Sequence, residues 1–294
     1  SGAEANEGAM QLARIYFYKK GMNNNEIISL DHSFHGRTLA TVAVTGQEHY
    51  QAPYRPNLPG VTQVEPNNFE ALKAAVTDKT AAIMLEPIQG ESGVHPMDKE
   101  YLQKVRELCS EKNIILIFDE VQTGMGRTGH LFAYQLYGIE PDIFTSAKAL
   151  GGGVPIGAVC AKQFVADAFE PGDHGTTFGG NPLATAAGLA VFDIYESEHL
   201  VENAKLKGEE FKNKLNMLKD KYPDKISDIR GAGLLIGIQV KDELGKTVFN
   251  KLFENKILTS LCSGNTIRIA PPLIIASGDI DLFIKTFEQI IKEI

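Results

Sequence analysis

The chain has 294 residues, 43% hydrophobic and 22% charged, with a net charge of −8 and no tryptophan. That is room for one large and one smaller domain, in the composition of a soluble α/β protein. The acidic balance argues against a nucleic-acid partner or an anionic membrane surface, and no apolar run approaches the about 18 residues of a membrane span. Cys109, Cys160 and Cys262 are too far apart for a CxxC pair, and the seven histidines show no HExxH spacing. The expectations are a cytoplasmic protein with reduced thiols and no metal site.

Ser1 and Glu4 spell an S-x-x-E capping box, which predicts a helix that Gly21 can end. Strands are expected at 27–30, 61–64, 81–85, 114–118, 143–145 and 156–161, with helical stretches at 69–76, 99–112 and 131–137 between them. Strands separated by helices mean βαβ units and a mostly parallel sheet. After Asn181-Pro182 an Ala-rich helix runs to about residue 196. The character then changes: a charged amphipathic helix over 200–221, the stretch 229–240, a helix near 248–255, two short strands and a last helix over 280–291. This predicts a large domain over residues 1–197 and a smaller α/β domain over 198–294. The chain opens at Ser1, with no initiator Met, inside what reads as a functional loop, so the natural polypeptide is expected to extend further at this end.

Residues 145–153 read Thr-Ser-Ala-Lys-Ala-Leu-Gly-Gly-Gly, with Lys148 just past a strand. Small neighbours let a planar ring approach the backbone, and glycines accept the torsions of a tight loop. A lysine buried there would have a lowered pKa and act as an amine nucleophile; the segment reads equally as a loop with an exposed lysine. Strand 114–118 runs into Asp119-Glu120-Val121-Gln122. A carboxylate at the C-terminal end of a buried parallel strand is placed for a ligand, although Asp119 alone also reads as a cap for the next segment. Gly124, Gly126 and Gly129 spell G-x-G-x-x-G after that strand. A dinucleotide site is rejected, because Asp119 and Glu120 would meet the pyrophosphate and no clean helix opens at the third glycine.

Three further segments carry weaker signals. Ser1-Gly2-Ala3-Glu4-Ala5-Asn6 offers helix-start N–H groups to a phosphate, or is a capped helix and no more. Ser33-Phe34-His35-Gly36-Arg37-Thr38 sets a ring to stack beside a fork for a carboxylate, with His35 read as structural. His174-Gly175-Thr176-Thr177 offers adjacent hydroxyls to a phosphate, or is a turn before a helix.

Five such motifs in this order resemble the class III aminotransferases of pyridoxal-phosphate fold type I. The resemblance runs over essentially the whole chain, as far as Ile267-Arg268-Ile269-Ala270-Pro271-Pro272-Leu273. It implies an α/β fold, with a large domain of mostly parallel sheet flanked by helices and a smaller C-terminal α/β domain. It implies that Lys148 carries pyridoxal 5'-phosphate as a Schiff base and that Asp119 pairs with the pyridine nitrogen. Val121 and Phe34 would hold the ring faces, Gln122 would contact the phenolic oxygen, and Gly2 and Ala3 would bind the phosphate. Thr177 would reach the phosphate of the partner subunit in a homodimer with shared active sites. Thr176 would lie near the substrate, and Arg37 would hold its carboxylate. Glu91 and Arg268 would form a switch: paired while an ornithine-like donor binds by its terminal amine, open when 2-oxoglutarate brings a carboxylate beside its keto group. A plain structural ion pair is the other reading of these two residues.

Within the family the chain is most similar to members acting on N-acetylornithine, implying amine transfer to 2-oxoglutarate in arginine biosynthesis. Ornithine, 4-aminobutyrate and succinylornithine remain alternative donors. An aminomutase of the same fold and a catalytically inactive PLP-binding fragment remain alternative functions.

Overall fold

The computed structural model describes residues 1–294. Its strands in chain order are β1 (Glu26–Leu30), β2 (Val61–Val64), β3 (Thr80–Leu85), β4 (Ile88–Gln89), β5 (His95–Pro96), β6 (Ile115–Asp119), β7 (Ile143–Ser146), β8 (Ala158–Ala161), β9 (Ile226–Ala232), β10 (Leu235–Val240), β11 (Ser260–Cys262) and β12 (Thr266–Ile269). The α-helices are α1 (Gly2–Lys19), α2 (Leu39–Val44), α3 (Glu48–Gln51), α4 (Phe69–Ala75), α5 (Lys99–Lys112), α6 (Ala133–Tyr137), α7 (Gln163–Ala166), α8 (Pro182–Ser197), α9 (Leu200–Lys221), α10 (Gly245–Glu254) and α11 (Ser277–Glu293). They fall into two compact units. The first takes Ser1–Pro87, Met97–Gln122 and Ala133–Ile194; the second takes Ile88–Pro96, Thr123–Phe132 and Tyr195–Ile294.

The first unit is built on a six-stranded sheet in the order β2-β1-β3-β6-β7-β8, parallel throughout except for β8. Every residue of β3 and β6 is buried, as strands covered on both faces must be. Side chains alternate between those faces with the period of two that a pleated strand imposes. Ile28, Leu30, Ile83, Leu85, Leu116 and Phe118 pack with Leu102 and Val105 of α5. Ile27, Ala82, Met84, Ile115 and Ile117 pack on the other face with Ala9, Met10 and Phe17 of α1. The expected capping box is present: the Ser1 hydroxyl accepts from Glu4 N–H, and the Glu4 carboxylate takes the Ser1 amino group at 2.7 Å. Beyond α1, Met22 N–H returns to Phe17 O while Gly21 takes a φ of 72°. The chain leaves β1 for β2 on one side and comes back as β3 on the other. Ligands of open α/β sheets sit outside the carboxyl ends of the strands at such a reversal.

The second unit holds an antiparallel sheet in the order β11-β12-β10-β9. Phe211, Leu215 and Leu218 of α9 and Phe283, Phe287 and Ile291 of α11 pack on Ile236, Ile238, Ile267 and Ile269 of the sheet. One point differs from the sequence expectation, and one adds to it. Residues 88–96 and 123–132 belong here rather than with the large domain, because Ile88 and Val94 bury against Leu235 and Leu234 N–H bonds to Arg127 O. The stretch 229–240 is a hairpin, β9 and β10, turned at Gly233. Gly233 has a φ of 51°, and a Cβ on it would lie 2.4 Å from the Thr128 carbonyl carbon.

Candidate active site

β6 and β7 run parallel with Asp119 opposite Thr145, so the residues just beyond both leave the same edge of the sheet. Asp119 is 3% exposed. Burying an unpaired carboxylate is costly, and three donors meet this one. Asn6 Nδ2–H donates to Oδ2 at 2.7 Å, His35 Nδ1–H to Oδ2 at 2.8 Å, and Val121 N–H to Oδ1 at 3.0 Å. A carboxylate only accepts, which puts the His35 proton on Nδ1. The neighbouring Glu120 has a separate task. It accepts from Ala133 N–H at 2.8 Å and Tyr134 N–H at 2.7 Å, and so starts α6 two residues later than the sequence pattern suggested, where a negative charge is favoured.

Lys148 stands three residues past Thr145. It opens a short 3-10 turn, Lys148–Gly151, with a φ of 48°. Holding a non-glycine residue in that region costs about 1–3 kcal/mol, and such strain clusters at functional sites. Lys148 is exposed, not the buried lysine weighed from the sequence. The turn carries it past the edge of the sheet, clear of the packed strands.

The start of α1 lies against the residues that follow β6 and β1. A Cβ on Gly2 would fall 2.6 Å from Val121 Cγ1, and one on Gly36, whose φ is 137°, would fall 2.7 Å from Ala3 Cβ. The N–H groups of the first turn have no acceptor within their own helix. Phe34 is half-buried; its N–H donates to Glu86 Oε2 at 3.0 Å, and its ring meets Tyr50 edge to face at 5.5 Å. The exposed Arg37 lays its guanidinium 4.7 Å above the Tyr50 ring and 5.8 Å from that of Phe34. Val121 and Gln122 are half-buried. Thr176 and Thr177 lie in an exposed loop and are not joined to this cluster within the chain.

These groups fit pyridoxal phosphate. A buried carboxylate suits the ring nitrogen, Val121 and Phe34 suit the ring faces, and free helix-start N–H groups beside Val121 suit a phosphate. Lys148 beyond the adjacent strand suits a covalent bond.

In the second unit Arg268 Nη1 meets Glu91 Oε1 at 2.7 Å and Gly90 O at 3.1 Å. Glu91 sits in the turn between β4 and β5, and Arg268 sits on β12. Arg230 holds that turn: its Nε–H donates to Gly93 O at 2.9 Å and Val94 O at 3.0 Å, and Nη1 and Nη2 reach Gln239 Oε1 and Thr266 Oγ1 at 2.6 and 3.2 Å. The Ser263 hydroxyl adds a bond to Ser92 O at 2.8 Å. The G-x-G-x-x-G segment is a series of turns with Gly126 and Gly129 at φ 74° and 79°, and no helix opens at Gly129.

Asn6, Thr145 and Arg230 were missed by sequence reasoning, and His35 was read there only as structural. A signal existed for Asn6. It interrupts the apolar face of a helix, and asparagine is a poor residue for a helix interior unless its side chain has partners.

A family model described as aminotransferase class-III matches residues 1–291. The acetylornithine aminotransferase of Methanocaldococcus jannaschii is 51% identical over 297 residues, spanning 100% of this chain and 74% of its own length. The ornithine aminotransferase of Toxoplasma gondii superposes with a TM-score of 0.94 at 35% identity, covering 100% of this chain and 71% of that structure. The acetylornithine aminotransferase of Elizabethkingia anophelis superposes with a TM-score of 0.86 at 36% identity, over 100% and 73%.

Proposed function

The chain belongs to the class-III aminotransferase family, and from that premise we propose that it moves the terminal amine of N-acetylornithine to 2-oxoglutarate. The products are N-acetylglutamate semialdehyde and glutamate, and the pathway served is arginine biosynthesis. The observation that carries the chemistry is the buried Asp119 carboxylate beside the Lys148 turn and the open start of α1. The choice of donor is supported by the half-identity to acetylornithine aminotransferases.

Bound against Asp119, pyridoxal phosphate supplies an electron sink for the carbon–hydrogen bond next to the reacting amine. Gly2 and Ala3 would hold its phosphate, Phe34 and Val121 its ring and Gln122 its phenolic oxygen, and Asp119 would keep positive charge on the ring nitrogen. Lys148 would hold the cofactor covalently, and its Nζ, once free, would move the proton of the donor's amine-bearing carbon, as base and then acid. The bound group would supply the place where the amine waits between departure of the semialdehyde and arrival of 2-oxoglutarate. Arg37 holds a substrate carboxylate, with Thr176 near the substrate. Glu91 neutralises Arg268 while the donor binds by its terminal amine; once the pair opens, Arg268 takes the 1-carboxylate of 2-oxoglutarate.

The working form is a homodimer. α8 buries only Ala184, Gly188 and Val191, and Phe178, Leu183 and Leu189 are 81%, 74% and 68% exposed. Exposed apolar side chains so close in sequence suit an interface, and a second copy seated there would let Thr177 reach the phosphate bound by the partner subunit. Three free thiols suit a reducing cytoplasm.

Borohydride reduction followed by peptide mapping should place the pyridoxyl group on Lys148, and Lys148→Ala should form no adduct. Among N-acetylornithine, ornithine, succinylornithine and 4-aminobutyrate, the first should give the highest kcat/KM. Label on another lysine, or a preference for another donor, overturns the corresponding assignment.

Stopped-flow measurement of each half-reaction tests the Glu91–Arg268 switch. Arg268→Ala should slow the 2-oxoglutarate half about ten- to hundredfold, the worth of one charge-assisted contact, and the donor half much less. Glu91→Gln should hinder the donor half and let glutamate bind better. Equal slowing of both halves in both variants makes the pair structural.

Inactive Lys148→Ala and Thr177→Ala chains, once mixed, should regain activity, because one site of each hybrid dimer then holds both native groups. Subunit exchange proved by mass without any gain in activity excludes the shared site.

A further inference from the structure

We propose that Asn6 is a positioning residue that keeps the proton shared by Asp119 and the cofactor ring on the ring nitrogen, with Thr145 fixing the Asn6 amide from behind. This rests on the reading of the cluster as a pyridoxal phosphate site. Asn6 is 1% exposed on the inner side of α1, and Thr145 is fully buried on β7. Every polar atom of the Asn6 amide is engaged. Nδ2 gives one hydrogen to Asp119 Oδ2 and the other to His35 O, both at 2.7 Å, and Oδ1 accepts from Thr145 Oγ–H at 2.7 Å. Flipping the amide would set its oxygen against two acceptors, so its orientation is determined by its partners. The hydroxyl, the amide and the carboxylate form one directed chain, in which each bond polarises the next.

The consequence is a matter of where the negative charge is held. Hydrogen bonds donated to a carboxylate stabilise that charge in place. A carboxylate so held would leave the proton on the pyridine nitrogen of a bound cofactor, where an electron sink needs it. Two of the three donors converge on Oδ2, so the acceptor capacity that remains lies on Oδ1. The same residue sets a spacing. Asn6 follows Gly2 by four helical positions, about 6 Å along the axis at 1.5 Å per residue. A rigid helix therefore holds the phosphate end in register with the carboxylate. His35 and Val121 still donate when Asn6 is replaced, so the loss is partial.

The test uses the enzyme loaded with pyridoxal phosphate labelled with nitrogen-15 in the ring. The wild type should show a protonated ring nitrogen. Asn6→Ala should move that resonance toward the unprotonated value and raise the cofactor Kd about tenfold, the low end for a hydrogen bond to a charged group. Thr145→Val, nearly the same shape without the hydroxyl, should move it the same way by less. A purely structural Asn6 would lower the melting temperature of the cofactor-free protein and leave the resonance in place, and that result overturns the proposal. If Asn6→Ala does not fold, an unmoved resonance in Thr145→Val overturns it instead. A wild-type protein that binds no pyridoxal phosphate overturns the reading of the site, and this inference with it.

Discussion

A carboxylate buried to 3% exposure survives only where donors replace the water it has lost, and the donors of Asp119 come from three places in the chain. Asn6 arrives on α1, His35 on the loop after β1, and Val121 on the turn leaving β6. Asn6 is held in turn by Thr145 on β7. One charge thus ties a helix, a loop and two adjacent strands into a single arrangement, and the Lys148 turn follows the second of those strands. Leaving any one of these donors or the carboxylate unpaired costs about 1–3 kcal/mol, and more where the charge itself is left. This polar cluster therefore specifies local structure as well as chemistry.

Division of labour between neighbouring residues recurs through the molecule. Asp119 enters the cluster while Glu120 caps α6; the motif's two carboxylates are consecutive in sequence and separate in task. In the second unit, Arg268 meets Glu91 while Arg230 holds the turn that presents Glu91. Both arginines end on backbone carbonyls as well as on side chains, which suits a planar fork with five donors. The bonds from Arg230 and Ser263 give that turn a support that does not depend on Glu91.

Much of the first unit was legible in the sequence because its strands are long, buried on both faces and bracketed by clear helix signals. The apolar runs of β1, β3 and β6 and the full extent of α5 could be read directly. Three kinds of feature could not. The helices Leu39–Val44, Glu48–Gln51 and Gln163–Ala166 and the two-residue strands β4 and β5 are too short to show a period. The membership of 88–96 and 123–132 in the second unit depends on burial against Leu235 and on a bond to Leu234, which periodicity along one segment cannot reveal. The polar cluster joins residues as far apart as Asn6 and Thr145, and a motif displays residue types without their partners. The aspartate could be singled out because a carboxylate at a strand end is unusual; Asn6 looked like one more helical residue. The hairpin at Gly233 was missed because its glycine answers to a backbone neighbour, Thr128, about a hundred positions earlier.

The central claim is that the charge at Asp119, and not merely its shape, drives the breaking of the donor's carbon–hydrogen bond. The direct measurement is rapid mixing of Asp119→Asn enzyme with N-acetylornithine deuterated at the carbon bearing the terminal amine. Displacement of Lys148 and loss of the deuteron are followed as separate steps. The account predicts that displacement proceeds near the wild-type rate, because the shape persists and one amide oxygen can still accept from Asn6 and His35 while only the Val121 bond is lost, and that loss of the deuteron slows at least about a hundredfold. Deuteron loss at the wild-type rate would contradict it.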